Sequence, residues 1–393
     1  MKTIHSSRGG VIVLPSVRPA SVLGLPGAVF IDLRSPTEFA VDHIPGALNV
    51  ALFDDVERAL VGTLYRQSSP EAAFEEGRAI ARAKIVSLVA TISGIGDLEV
   101  PEIELARRVD EMTAGGITGL ATSIVCEPTE PVPERPIVLH CWRGGLRSRS
   151  VAGLLVGLGL ERVVLLEGGY KAYRADVAQE IAAWSPPRPY LLFGWTGVGK
   201  TLVLREIERL RPRWTIDLEA LAGHRSSLLG MVGLKPRSQK AFESGLVSCL
   251  RAGVANPLVL EGESRKVGDV ILPLPLWNAM TGGIALEITA SLERRVEVLR
   301  RDYLSDEASR QELLLQLPRV EERMKRKEGA PALADLLEDG RVEELVHILL
   351  EQYYDPLYRH SQRGRRYAAT FDANDPAAAA EHIVDWIESA RFG

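Results

Sequence analysis

The stretch GWTGVGKT, Gly194–Thr201, narrows the folds open to this chain more than any other. It fits the spacing Gly-x4-Gly-Lys-Thr, with the apolar run YLLF before it and LVLREIERL after it. An apolar strand entering a glycine loop that opens a helix is the context in which this spacing holds a phosphate. Backbone N–H groups turn inward around the anion, and the helix N-terminus adds positive potential. Gly194, Thr196, Gly197, Gly199, Lys200 and Thr201 are therefore the candidate diphosphate-binding residues. Lys200 is expected to neutralise terminal phosphoryl oxygens, and Thr201 to meet Mg²⁺ or a further phosphate oxygen. Such a loop belongs to a parallel α/β domain. It does not identify the ligand, since any diphosphate ester fits the cradle.

A phosphate loop works with acidic groups from neighbouring strands. WTIDLE and PLVLEGES read as those strands, and Asp217, Glu261 and Glu263 are the candidate partners, with Glu219 beside Asp217. Glu261 ends the more apolar strand and is the stronger candidate. GGIALEITA is a third strand, and from Ser291 onward the pattern is nearly all helix. His224, Arg225, Arg265 and Lys266 fall near the strand ends and are candidates for contacts to a polyanion.

A second loop lies in the first half, in IVLHCWRGGLRSRS, Ile137–Ser150. A buried strand runs into Cys141, then a glycine pair and arginines, then the helix SVAGLLVGLGL. A thiol reacts as thiolate, and a glycine loop at a helix N-terminus favours that anion. Cys141 is the candidate catalytic residue, and Trp142, Arg143, Gly144, Gly145, Leu146 and Arg147 form the candidate anion loop, with Arg149 close behind. Cys126 falls in the proline-broken CEPTEPVPERP, where a loop folding over the site would make it a resolving thiol. Cys249 has the spacing of an inert helix-core position. Upstream, GAVFIDLRS reads as a strand and SPTEF as a helix start capped by Ser35 with Glu38. Residues 54–92 read as mostly helical, with Ser69 capping and Pro70 in the first turn.

Strands alternating with helices in both halves predict two α/β domains, 1–184 and 190–393, joined by the SPPRP linker at 185–189. A length of 393 residues suits two cores. The net charge of −5 argues against indiscriminate nucleic-acid binding, but not against a local basic face. Candidate faces are Arg205–Arg213, Lys235–Lys240, Arg294–Arg301 and Arg359–Arg366, each of which also reads as a solvated helix face. Three cysteines make no disulfide framework, and no apolar run suits a signal or a membrane span, so a cytoplasmic protein with no membrane partner is expected.

The first half resembles a rhodanese domain, in FIDLRSPTEFAVDHIPGALNV, the cysteine loop and LLEGGYKAY. Asp32, Arg34 and His43 are then architectural. The spacing Cys-x5-Arg, one residue longer than in common sulfurtransferases, should take a bulkier anion. A rhodanese-like parallel-sheet domain ahead of a P-loop NTPase-like domain with a helical extension resembles the tRNA 2-selenouridine synthases. VGTLYRQSSPEAAFEEG, DLEALAGHRSSLLG and LEGESRKVG carry that resemblance beyond the two loops.

The resemblance implies a selenotransferase with tRNA geranyltransferase activity, acting on wobble 2-thiouridine in the anticodon loop. The sulfur would first take a geranyl group from geranyl diphosphate. Selenium from selenophosphate would then replace the S-geranyl group, with Cys141 positioning or carrying it. Selenophosphate synthetase is an implied partner, and no tightly bound organic cofactor is implied. His224, Arg225, Arg265 and Lys266 become candidate tRNA contacts, and Trp142 and Trp195 could stack a flipped base or pack their loops onto the core. Three other readings fit one or both loops: a sulfurtransferase coupled to a nucleotide-hydrolysing or kinase domain, a nucleotide-gated sulfur carrier, and a phosphatase. The last leaves the P-loop without a role.

Overall fold

Short buried strands separated by helices pair in parallel, because each crossover helix returns the chain to the same end of the sheet. The computed structural model describes residues 11–96, 102–324, 329–357 and 364–392. It divides into two units, Met1–Glu180 and Ile181–Gly393.

The first unit runs β1 (Ile12–Val17), α1 (Pro19–Val22), β2 (Val29–Asp32), α2 (Pro36–Val41) and β3 (Leu48–Asn49). Four helices follow: α3 (Asp55–Gln67), α4 (Pro70–Gly96), α5 (Glu102–Thr113) and α6 (Gly116–Ser123). Then come β4 (Ile124–Pro128), β5 (Ile137–His140), α7 (Leu146–Gly157), β6 (Val163–Leu166) and α8 (Gly169–Ala183). Its sheet has the order β3-β2-β5-β6-β1-β4, parallel throughout. β5 therefore lies inside the sheet, and its C-terminal end is where the cysteine loop begins. The expected caps are present: Ser35 with Glu38 makes a capping box, and Ala72 N–H donates to Ser69 Oγ at 3.0 Å. Asp54 and Glu57 make a second capping box that starts α3.

Two strands depart from expectation. β1 escapes a reading centred on glycine punctuation. β4 runs through Cys126, in the segment read as a loop, because Ile124–Pro128 pairs with Ile12–Ser16 before the prolines interrupt.

The second unit runs β7 (Tyr190–Phe193), α9 (Lys200–Leu210), α10 (Leu218–Ala222), α11 (Gln239–Ala252) and β8 (Val259–Glu261). The small hairpin β9 (Lys266–Val267) and β10 (Val270–Ile271) precedes α12 (Leu274–Thr281) and β11 (Ile284–Thr289). The helical extension is α13 (Leu292–Tyr303), α14 (Glu307–Glu321), α15 (Leu333–Glu338), α16 (Val342–Ile348) and a π-helical segment, Leu349–Tyr354. β12 (Ala369–Asp372) and α17 (Pro376–Phe392) close the chain.

The sheet order is β12-β11-β7-β8, again parallel. WTIDLE, expected as a strand, reduces to one bridge between Thr215 and Val259. The Asp217 carboxylate accepts from Ala220 N–H and starts α10 there instead. The tail is also not all helix, since β12 returns to the sheet beside β11. Val203, Leu204 and Ile207 of α9 share a core with Ile383, Val384 and Ile387 of α17, while the extension has a separate core around Leu317, Leu336 and Leu349. Among the described residues no helix is long and apolar enough to cross a membrane.

Candidate active site

Cys141 follows β5 directly and is buried, yet it lines a cavity of about 720 Å³. Its sulfur lies 3.2 Å from the buried Ser148 Oγ, a neighbour on the first turn of α7. Gly144 takes a left-handed φ of 65°, and Gly145 begins α7 with no side-chain cap, so its backbone N–H groups stay available to an anion. The loop is clamped from below. Tyr170 N–H donates to Cys141 O and Lys171 N–H to Trp142 O, both at 2.9 Å. A Cβ at Gly169 would stand 2.4 Å from Cys141 O, so only glycine allows this approach.

Arg147 lies 3.6 Å from Glu38, and Arg149 Nε donates to Gly144 O at 3.2 Å. Arg143 is exposed. Trp142 is tilted against Tyr170 at 5.3 Å, and it and Leu146 line the cavity.

The buried Arg34 is held by Asp32, lies 3.7 Å over the Tyr170 ring, and donates to Asp42 O at 2.8 Å. Tyr170 OH donates to the Asp42 carboxylate at 2.7 Å. The pair thus fixes the segment that clamps the cysteine loop. His43 stacks on Phe39 and engages its carbonyl. His140 is fully buried beside Asp32, and desolvation pulls its imidazole down to about 4. Cys126 does not approach Cys141: its strand lies at the sheet edge, three strand spacings or roughly 14 Å from β5. Cys249 sits in α11, and burial raises its thiol.

In the second unit β7 delivers the glycine loop and α9 begins at Lys200. Gly197 and Gly199 have φ of 81° and 84°. A Cβ at Gly194 would stand 2.3 Å from Ile288 O, which packs the loop against β11. Lys200 Nζ donates to Gly194 O at 3.2 Å, bridging the loop that Thr196 and Gly197 complete.

The acidic groups that converge on Thr201 are Glu219, Glu261 and Glu263, whose oxygens lie within 4.8 Å of one another. Thr201 Oγ1 donates to Glu261 at 2.5 Å. Glu261 is fully buried with one oxygen lacking a partner, and its burial and the charges of Glu263 and Asp217 push it up to about 8. Burial and Glu261 raise Glu219 as well. Crowded carboxylates with an orphaned oxygen beside a threonine hydroxyl are a fitting donor set for a hard cation such as Mg²⁺. Asp217, expected in this group, serves as the α10 cap and lies 3.6 Å from Arg205.

Arg295 falls in the Arg294–Arg301 run, read as a basic or solvated face, and the structure puts it to another use. It is buried, donates to Thr196 O at 2.8 Å, pairs with Asp355 after the π-helical segment, and stands 5.2 Å over the Trp195 ring. Trp195 packs against the core of the unit. Only the capture of the loop carbonyl reveals Arg295's role, and sequence spacing carries no sign of it.

Arg225 is tied to Val232 O at 2.8 Å and to Asp302 at 3.7 Å. His224 lies under Gly268, and burial lowers its imidazole. Arg265 and Lys266 are exposed at the β9–β10 hairpin that follows Glu263. Of the basic runs, Arg205, Arg209 and Arg211 are ion-paired, and residues 359–363 of the last run lie outside the described residues.

A parallel-sheet unit with a cysteine loop at the end of an interior strand, followed by a unit with a P-loop and its carboxylates, defines a rhodanese–P-loop transferase. Residues 21–176 match the rhodanese-like domain, and residues 187–391 match the tRNA 2-selenouridine synthase AAA domain. The chain belongs to the tRNA 2-selenouridine synthase family. A relative of that name from Chromohalobacter salexigens is 31% identical, covering 92% of this chain and 92% of its own. Another from Cupriavidus necator is 30% identical, covering 95% and 98%, and one from Pseudomonas fluorescens is 31% identical, covering 85% and 89%.

Proposed function

We propose that this chain is a tRNA 2-selenouridine synthase that works in two steps on wobble 2-thiouridine. In the first, the thiocarbonyl sulfur attacks C1 of geranyl diphosphate, the C–O bond breaks, and diphosphate leaves. The backbone N–H groups of Gly197 and Gly199, with Lys200, would take up the negative charge that grows on the leaving group. Thr201, Glu219, Glu261 and Glu263 would hold Mg²⁺, which supplies further neutralisation of the diphosphate when bound.

S-alkylation turns sulfur into a better leaving group. In the second step selenium from selenophosphate bonds to C2 of the base and the C2–S bond breaks. Geranyl thiol leaves, and water takes the phosphorus as phosphate. The cysteine loop, with its helix N-terminus and Arg147, suits the tetrahedral selenophosphate, and Cys141 either carries or aligns the selenium. Arg143, Arg265 and Lys266 are exposed and suit tRNA phosphates.

The observation that carries this reading is the coexistence of two anion loops, one with a thiol and one with a lysine and acidic partners, in a chain of this family. Mass spectrometry of tRNA nucleosides after incubation with geranyl diphosphate and selenophosphate tests it. Cys141→Ala should accumulate the S-geranyl nucleoside. Lys200→Ala should slow its formation about 10²–10³-fold and leave 2-thiouridine. Identical nucleoside profiles from the two variants would refute the assignment.

A further inference from the structure

Protein interiors leave few voids larger than a water molecule. The cavity above the cysteine loop, at about 720 Å³, is far larger, and within the roughly 300–1,000 Å³ of pockets that take small organic ligands. Its floor is the loop itself, through Cys141, Trp142, Leu146 and Arg147. Its walls come from the helices inserted between β3 and β4, through Val61, Phe74, Ala81, Ile85 and Met112. Ile85 belongs to the core of the unit with Leu139, Val151 and Leu155, and Val61, Phe74, Ala81 and Met112 pack against that core while also lining the cavity. The charged residues that line the cavity are all arginines, among them Arg58 and Arg147, which lie 3.6 Å from Glu38 on either side. Among the described residues no carboxylate lines it. The cavity thus offers an apolar chamber that opens onto an anion loop and a thiol.

We propose that this chamber binds an acyclic isoprenoid chain of about ten carbons, carried on the sulfur of the S-alkylated base, while the cysteine loop acts at the adjoining carbon. This rests on the two-step reading above, which it extends by assigning the chain its own site in the first unit, apart from the P-loop. The chain enters the helical insert, the sulfur it carries sits over the loop, and the arginines face the phosphates of the nucleotide and of selenophosphate. Geranyl thiol would leave through the same space.

The test uses the full-length protein and three probes: an anticodon stem-loop RNA with S-geranyl-2-thiouridine, its S-methyl counterpart, and geranyl diphosphate. Gly62→Leu and Ala81→Phe each add bulk at the cavity wall. Gly62 lies within a helix, where leucine is favoured, and its added Cβ would meet only the mobile end of Arg58. Wild type should prefer the S-geranyl over the S-methyl RNA by about tenfold or more, since burial of the chain removes apolar surface from water. Both variants should lose that preference, keep S-methyl RNA binding and their melting temperature, and bind geranyl diphosphate as wild type does.

Unchanged preference in a folded variant overturns the proposal. So does loss of geranyl diphosphate binding with RNA preference intact, which would assign the chamber to the donor. Conversion of S-geranyl RNA by wild type with selenophosphate is followed in parallel. If wild type converts it and the variants convert it equally well, the chamber proposal fails alone. If wild type never converts it, the two-step reading fails and takes the proposal with it.

Discussion

Gly169, packed against the cysteine loop, and His140, buried just before it, each make a separate prediction. At Gly169 the φ of 58° and a clearance of 2.4 Å to Cys141 O both exclude a side chain. Gly169→Ala should displace the loop and cost about 1–3 kcal/mol. Nucleoside mass spectrometry should then show the S-geranyl product formed and not consumed, as with Cys141→Ala. His140 is held near 4, against an ordinary 6.5, by desolvation. Its depressed folded value means that the unfolded chain binds the proton more readily between those two values. The stability it contributes is therefore present above pH 6.5 and is lost as the pH falls towards 4, by about 3 kcal/mol in total. Urea midpoints at pH 7 and pH 4.5 should differ less in His140→Leu than in wild type. The cysteine, the arginines and the P-loop lysine were legible because their chemistry is tied to fixed sequence spacing. The clamp by Gly169, the neighbour Ser148, and the choice of Glu219 over Asp217 were not, since each depends on contacts between distant segments or on a local helix cap.

Among the elements, capped helices, glycine loops and apolar strands such as β2, β5, β7, β8 and β11 were readable, while β1, β4 and β12 were not. β4 and β12 have five and four residues and sit at sheet edges, where pairing with a distant strand, not periodicity, decides the conformation. WTIDLE fails as a strand because one aspartate starts a helix within it. The most consequential element contact is also long-range: Arg295 of α13 joins the P-loop carbonyl of Thr196 to Asp355. Removal of the guanidinium alone leaves a buried carboxylate uncompensated. Arg295→Met should therefore cost about 3–5 kcal/mol, while Arg295→Met with Asp355→Leu should recover much of the loss. Urea unfolding of the three proteins checks this. If the single variant is as stable as wild type, the buried pair does not hold the extension to the loop.

At the scale of the whole chain, each unit has its own core: Leu139 and Leu155 in one, Leu192 and Ile288 in the other. Separate cores predict separate unfolding transitions, and a ligand raises only the transition of the unit that binds it. Inorganic diphosphate with Mg²⁺ at a hundred times its dissociation constant adds about 2.7 kcal/mol to the folded state. For a domain of this size that is roughly 5–10 °C in melting temperature. Calorimetry should show the shift in one transition alone. Lys200→Ala should remove it, because the leaving-group charge loses its only lysine within the loop. S-geranyl RNA should instead raise the other transition by more than S-methyl RNA does, and Gly62→Leu should abolish that difference without touching the diphosphate shift. The two ligands thus report on the two steps independently. If diphosphate moves both transitions together in the Lys200→Ala protein, the phosphate loop is not its site, and the division of labour between the units collapses.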